Sequence, residues 1–228
     1  MKKQHFTPEL FTFFRELRKN NNRDWFMTNK TRYESLVRDP MLDFISDFGV
    51  FLRKISPHFV ADPRPSGGSM FRVYRDTRFS NDKSPYKLQA AARFRHVLGK
   101  EIHAPGFYLH LEPGAVFAGA GVWHPDTPTL TKIRDAIVGD PGRWKRAVSM
   151  RTKGRGLVLS GESLKRPPRG YAPDHPLIED LKRKDFVTIT RFTQAQASAD
   201  DFLTRYVSAC RDMAPFTRFI TEAAGLAW

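Results

Sequence analysis

The side chains able to do chemistry crowd into one stretch: Arg72-Val73-Tyr74-Arg75-Asp76-Thr77-Arg78-Phe79-Ser80-Asn81-Asp82-Lys83-Ser84-Pro85-Tyr86-Lys87. Five cations face two carboxylates there. Planar guanidinium forks suit phosphate or carboxylate, and lysine adds a point charge. Strand alternation puts Arg72, Tyr74, Asp76 and Arg78 on one face, and Phe71, Val73, Arg75 and Phe79 on the other. An arginine among apolar positions needs a partner, because an unpaired buried guanidinium is costly. Asp82 and Glu112 are the candidates for Arg75. The loop 80–85 adds hydroxyls, an amide and backbone N–H groups of the kind that form anion nests. One reading is a ligand site: Arg72, Arg75, Arg78, Lys83 and Lys87 hold a phosphorylated metabolite or nucleotide, and Tyr86 supplies a hydrogen bond or a ring. The competing reading is structural, with Arg75 and Arg78 paired to Asp76 and Asp82 so as to pin a hairpin. The stretch contains no G-x-x-x-x-G-K-[ST], and no G-x-G-x-x-G opens a helix.

A second group is Tyr108, His110 and Glu112. Residues two apart on a strand share a face, so His110 and Glu112 suit acid and base roles or metal ligation. Together with Asp76 they form an alternative, enzymatic reading in which the arginines stabilise developing negative charge. The plainer reading is the polar side of a half-exposed sheet. His103 and His124 lie nearby in sequence. H-E-x-x-H, an EF-hand loop and G-x-S-x-G are all absent, which removes the best evidence for a metalloprotease, a calcium site or an α/β-hydrolase. No cofactor follows from these motifs, and no metal site is assigned. A third group, Lys145, Arg146, Arg151, Lys153, Arg155, Lys165, Arg166 and Arg169, forms a basic surface over 145–169. It suits non-specific nucleic-acid contact, weakened by its few aromatics, Trp144 and Tyr171. Cys210, beside Val207 and Met213 on a helix, reads as a buried structural thiol.

These side chains need elements to hold them. Thr7-Pro8 opens a helix over 7–19, with Leu10, Phe13, Phe14 and Leu17 on one face. Asn20-Asn21-Asn22 ends it. A second helix starts near Asp24, is punctuated at Pro40 and continues to Ile55. The period then changes to two. Residues 70–79, 88–96, 106–112 and 115–123 read as strands. Glu112-Pro113-Gly114-Ala115 reads as a type II turn joining the last two. Helices follow from Asp126 and from Asp140-Pro141, and then a basic glycine-containing loop over 151–156. Short strands are expected at 157–159 and 186–192, and a short helix at 176–184. Ser198 with Asp201 reads as a capping box, and Pro215 as the start of a last helix. The fold class is α+β. A central antiparallel meander over about 70–123, with a strand near 186–192, is packed by N-terminal and C-terminal helices in one domain over 1–228.

The 228 residues carry 38 Lys and Arg against 24 Asp and Glu, a net charge of +14. That balance favours polyanionic partners. Nineteen Phe and four Trp supply a core and argue against disorder. No apolar run is long enough to span a membrane, and no signal peptide is visible, so no membrane partner is expected. One cysteine allows no intrachain disulfide and fits a reducing, cytoplasmic setting.

Taken together, the motifs resemble a known family. Asn21-Asn22-Arg23-Asp24-Trp25-Phe26, Asn29-Lys30 and Tyr33-Glu34 match its N-terminal signature. The runs 72–80, 82–87 and 106–114 match its centre, and Gly119-Ala120-Gly121-Val122-Trp123 with Pro125 completes the match. This looks like the domain of unknown function 2461 family, with Asp24 where the family often has Glu. The resemblance implies a single domain and implies no activity.

Overall fold

The computed structural model describes residues 3–99, 104–149 and 158–228. Helix α1 (Pro8–Lys19) starts with proline in its first turn and buries Leu10, Phe11, Phe13, Phe14 and Leu17. Its last turn carries Arg18 and Lys19, which suits the negative end of the helix dipole. The asparagines then act one by one. The Asn20 side chain donates to the Glu16 carbonyl, 3.0 Å, and Asn22 caps α2 (Arg23–Thr28) by accepting from Trp25 N, 3.0 Å. Helix α3 (Lys30–Tyr33) runs through a π-turn at Glu34–Arg38 into α4 (Asp39–Ile55). Pro40 does not break this course. It sits in the first turn of α4, beside the wider turn, where its missing N–H is tolerated.

One antiparallel sheet follows. It comprises β1 (Ala90–Arg95), β2 (Gly106–Glu112), β3 (Ala115–Val122), β4 (Leu159–Ser160) and β5 (Phe186–Phe192), in the order β1-β2-β3-β5-β4. The fold is therefore α+β, as expected. Gly114, at φ 87°, makes the tight turn that pairs Glu112 with Ala115. Phe94, Phe107, Leu109, Leu111, Val116 and Ala118 form the buried face of the sheet. They pack in one cluster with Phe44 and Phe48 of α4, and with Phe202 and Tyr206 of α9 (Phe202–Ala223). A second cluster joins Ile133 and Ile137 of α5 (Thr127–Gly139) and Trp144 of α6 (Pro141–Ser149) to Phe216, Phe219 and Ile220 of α9. Among the described residues no helix is long and apolar enough to cross a membrane.

Three local expectations change. Residues 70–79 are no regular strand. Only Met70 and Tyr74 make isolated bridges, to Ala92 and Tyr86. Asp76 accepts from Arg78 N and Asp82 from Ser84 N, so side chains compete with the ladder for backbone donors. Phe71 and Phe79 are exposed, at 41% and 96%, and of the apolar trio only Val73 is buried. The capping box is Thr193 with Gln196, at the start of α8 (Gln194–Ala197), because there the N3 side chain is long enough to reach back. Pro215 lies inside an unbroken α9 rather than opening a new helix.

Gly121 lies in β3 at φ 124°, and a Cβ there would stand 2.0 Å from the Phe186 carbonyl oxygen in β5. Strain and collision coincide, and backbone cannot yield as a flexible side chain can. Gly121→Ala is expected to lower the unfolding free energy by at least about 2 kcal/mol in urea titrations. A change within about 0.5 kcal/mol would show that β3 and β5 are not packed as described.

Candidate functional site

The cleft that gathers most of the candidate groups opens at the start of β1. It has a volume of about 440 Å³ and is lined by Arg75, Asp76, Tyr86, Lys87, Gln89 and Glu112, among others. The hairpin 73–87 supplies four of these. It is held by Arg75 N donating to the Pro85 carbonyl, 2.9 Å, and Lys87 N donating to the Val73 carbonyl, 2.7 Å. Asn21 anchors it to the helical layer. Its side chain donates to the Tyr86 carbonyl, 3.0 Å, and accepts from Tyr86 N, 3.1 Å. The Tyr86 ring stacks on Phe26 with centroids 4.0 Å apart. The N-terminal asparagine motif and the central motif are thus one construction.

The arginines are largely occupied. Arg75 pairs with Asp82 and reaches Ser80 Oγ at 3.5 Å. Arg78 forks onto Asp76 at 3.0 and 2.7 Å and is 76% exposed. The hydrogen bonds from Ser84 and Arg75 hold the Asp82 carboxyl far below its ordinary range, and the Arg78 contacts lower that of Asp76. Lys83 donates to the Thr77 carbonyl, 3.0 Å, away from the cleft. Lys87 differs. Its ammonium donates to the Arg72 carbonyl, 3.0 Å, and lies 5.4 Å from the Phe71 ring centroid. No carboxylate pairs with it among the described residues. Burial lowers its pKa, and the Arg72 charge lowers it further.

The polar face of β2 ends at the same cleft. Nε2 of His110 donates to Glu112, 3.1 Å, which leaves Nδ1 to accept from the Tyr108 hydroxyl, 3.0 Å. The second Glu112 oxygen accepts from Arg18, 3.1 Å. His110 itself is buried and stacked on Phe117, 4.6 Å between centroids. Burial lowers its pKa, partly opposed by Glu112, and burial raises that of Tyr108 to about 12.

Of the residues singled out from sequence, Arg75, Tyr86, Lys87, Asp76 and Glu112 line the cleft. Arg72 is close enough to act on Lys87 and Asp76 electrostatically. His110 stands behind Glu112, whereas Arg78 and Lys83 do not line the cleft. Asn21, Arg18 and Gln89 were not singled out as site residues. Asn21 and Arg18 act across 65 and 94 residues of chain, a separation at which spacing carries no signal. Among the described residues no three His, Cys, Asp or Glu side chains converge to hold a metal. His103, Arg151, Lys153 and Arg155 lie outside the described residues. Cys210 is buried, and burial pushes its thiol well above the ordinary range.

Two outcomes are expected. Asn21→Ala removes both bonds to the Tyr86 backbone and should cost about 1–3 kcal/mol in chemical denaturation. An unchanged midpoint would mean that the hairpin is held by something else. The second concerns pH. His110 has a lowered pKa in the folded chain, so below the ordinary value of 6.5 the unfolded chain takes up a proton that the folded chain resists. Stability therefore falls as pH drops from 7 through 6.5 and levels off below the folded pKa. His96, also lowered, adds the same sign. His110→Gln should flatten the slope between pH 7 and 5; an identical slope would remove His110 from the account.

A family model described as "Conserved hypothetical protein (DUF2461)" matches residues 9–219, nearly the whole chain. No curated protein and no solved structure matches it. The conjunction of the asparagine motif, the Arg72–Lys87 hairpin and the β2–β3 turn agrees with that coverage, and the chain belongs to this family of conserved hypothetical proteins.

Proposed function

We propose that the protein binds an anionic ligand, a phosphorylated metabolite or nucleotide, in the cleft beside Lys87. The observation that carries this reading is the state of Lys87. It is a half-buried ammonium at a cleft wall, repelled by Arg72 and paired with no carboxylate among the described residues. An entering phosphate would supply the missing charge. Arg72, exposed and close enough to act on Lys87 and Asp76 electrostatically, adds a second cation nearby. Arg75, presented by Asp82 and Ser80, has donors left to turn inward. Tyr86 contributes a wall fixed from behind by Phe26.

A second reading is enzymatic. The Tyr108–His110–Glu112 row is hydrogen-bonded end to end and delivers its carboxylate to the same cleft. There Glu112 would take a proton from the ligand, with His110 orienting it and sharing the charge. Asp76 is the weaker base, because its pKa is held down by Arg78. Nucleic-acid contact through 145–169 has less support, because few aromatics accompany its cations and Trp144 is fully buried, so no stacking platform is offered by it.

A thermal-shift panel of nucleotides, sugar phosphates, carboxylates and oligonucleotides at fixed salt tests the reading. A ligand at 100 times its Kd should stabilise by about 2.7 kcal/mol. For a chain of this size that is about 5–11 °C. Lys87→Met should remove the shift while leaving the ligand-free melting temperature equal or higher, since it deletes a disfavoured charge. A panel with no shift, or a shift unchanged by Lys87→Met, would refute the proposed site. Turnover of a bound phosphate ester, lost in Glu112→Gln with binding retained, would establish the second reading.

A further inference from the structure

A separate cleft lies at the other end of β1. Its volume is about 240 Å³, and its walls include Asp62, Arg64, Gly68, Arg93 and Arg95. Arg93 and Arg95 are two apart on β1 and so project from the same face of the strand. That face is opposite Phe94, which enters the core. The outer edge of β1 is bound by two stretches of the preceding segment. Val60 N donates to the Arg95 carbonyl and Arg93 N to the Ser69 carbonyl, both 2.9 Å. Between them the chain doubles back through Ser66-Gly67-Gly68-Ser69. Gly67 has φ 72°, and a Cβ on Gly68 would stand 2.4 Å from the Arg64 carbonyl oxygen. This wall is therefore bare backbone.

Among the described residues the charges in this cleft do not balance, with Arg64, Arg93 and Arg95 against Asp62. Both arginines are half-buried. Arg93 donates to the Ala104 carbonyl, 3.2 Å, and no carboxylate pairs with either guanidinium among the described residues. Asp62 also lines the cleft, but its oxygens accept from Arg64 Nε at 3.0 and 2.8 Å. Burial and the Arg95 charge both disfavour the charged form of Arg93. His96 takes no part as a cation. Its Nδ1 accepts from Leu98 N, 3.2 Å, so Nε2 donates to the Ala227 carbonyl, 3.0 Å, and the ring is neutral. Two like charges held side by side without a counter-charge are unfavourable unless an anion joins them.

We propose that this cleft is a second anion site, in which Arg93 and Arg95 together hold a compact dianion: inorganic phosphate or the head of a phosphate monoester. Two positive charges match a dianion better than the single charge of a diester. The volume, about half that of the cleft beside Lys87, is ample for one such group. Guanidinium forks supply the paired donors that a tetrahedral oxyanion accepts.

The test is a titration of the intact chain with inorganic phosphate at constant ionic strength, followed by 1H–15N correlation spectra. Saturating shifts are expected at the amides of Gly67, Gly68 and Ser69 and at the Nε–H groups of Arg93 and Arg95. Arg95→Gln should weaken the response at least tenfold and, in phosphate-free buffer, raise the melting temperature by relieving the repulsion. Methyl phosphate should behave as phosphate does, and dimethyl phosphate should bind at least tenfold more weakly. Shifts that grow linearly, shifts unaltered by Arg95→Gln, or a lower melting temperature for that variant in phosphate-free buffer would overturn the proposal. Equal binding of the diester would overturn the assignment of a dianion. Saturating shifts confined to Tyr86–Gln89 would refute this second site and leave the cleft beside Lys87 standing.

Discussion

Burial of one side of the sheet under α4 and α9 governs everything else in this molecule. Phe94, Phe107, Leu109, Leu111, Val116 and Ala118 are withdrawn from water on that side. Burying each large side chain is worth about 1.5–3 kcal/mol. Strand register cannot slip by one residue without exposing the whole set. The opposite side is thereby determined too. Arg93, Arg95, Tyr108, His110 and Glu112 must all project from it, because each alternates with a core residue. Arg93 and Arg95 in one cleft, and Glu112 in the other, therefore stand on positions that the core selects.

Within that arrangement, pairing decides which charges are available. Arg75, Arg78 and Arg64 are each paired with a neighbouring aspartate and shape their loops. Exposed pairs of this kind contribute little to stability and act mainly by holding local geometry. Lys87, Arg93 and Arg95 are different in kind, being partly buried with no carboxylate partner among the described residues. Net positive charge alone says nothing about a site; partly buried positive charge left without a counter-charge does. Within the central motif Arg75 and Arg78 are ion-paired, as the structural reading expects, and the ligand-binding reading is proposed for Lys87.

The helical layer connects to the site through the core, where Tyr86 stacks on Phe26 of α2, and also through polar contacts. Asn21 holds the Tyr86 backbone from the α1–α2 connection, and Arg18 reaches Glu112 from the last turn of α1. These two contacts explain why an N-terminal asparagine motif and a central charged motif occur in one chain. Loosening α1 would disturb the cleft as well as the core. The His110 row has the same dependence, since its terminal carboxylate is shared with Arg18.

Much of the architecture was legible in the sequence by itself. Periods of 3.6 and 2 marked α1, the long α2–α4 course, β2, β3 and β5, because hydrophobic burial acts on every turn or every second residue. Pro113-Gly114 marked the tight turn, because backbone geometry there is local. The list of charged candidates was local information as well. Residues 70–79 misled, because alternation of residue types was outweighed by aspartate side chains bonding nearby backbone N–H groups. What only the tertiary structure decided was which charges are neutralised and which remain. That depends on partners such as Glu112 for Arg18, 94 residues away, and on how far each group is removed from water. Electrostatic energy is set by distance and burial in space, and neither can be read from spacing along the chain.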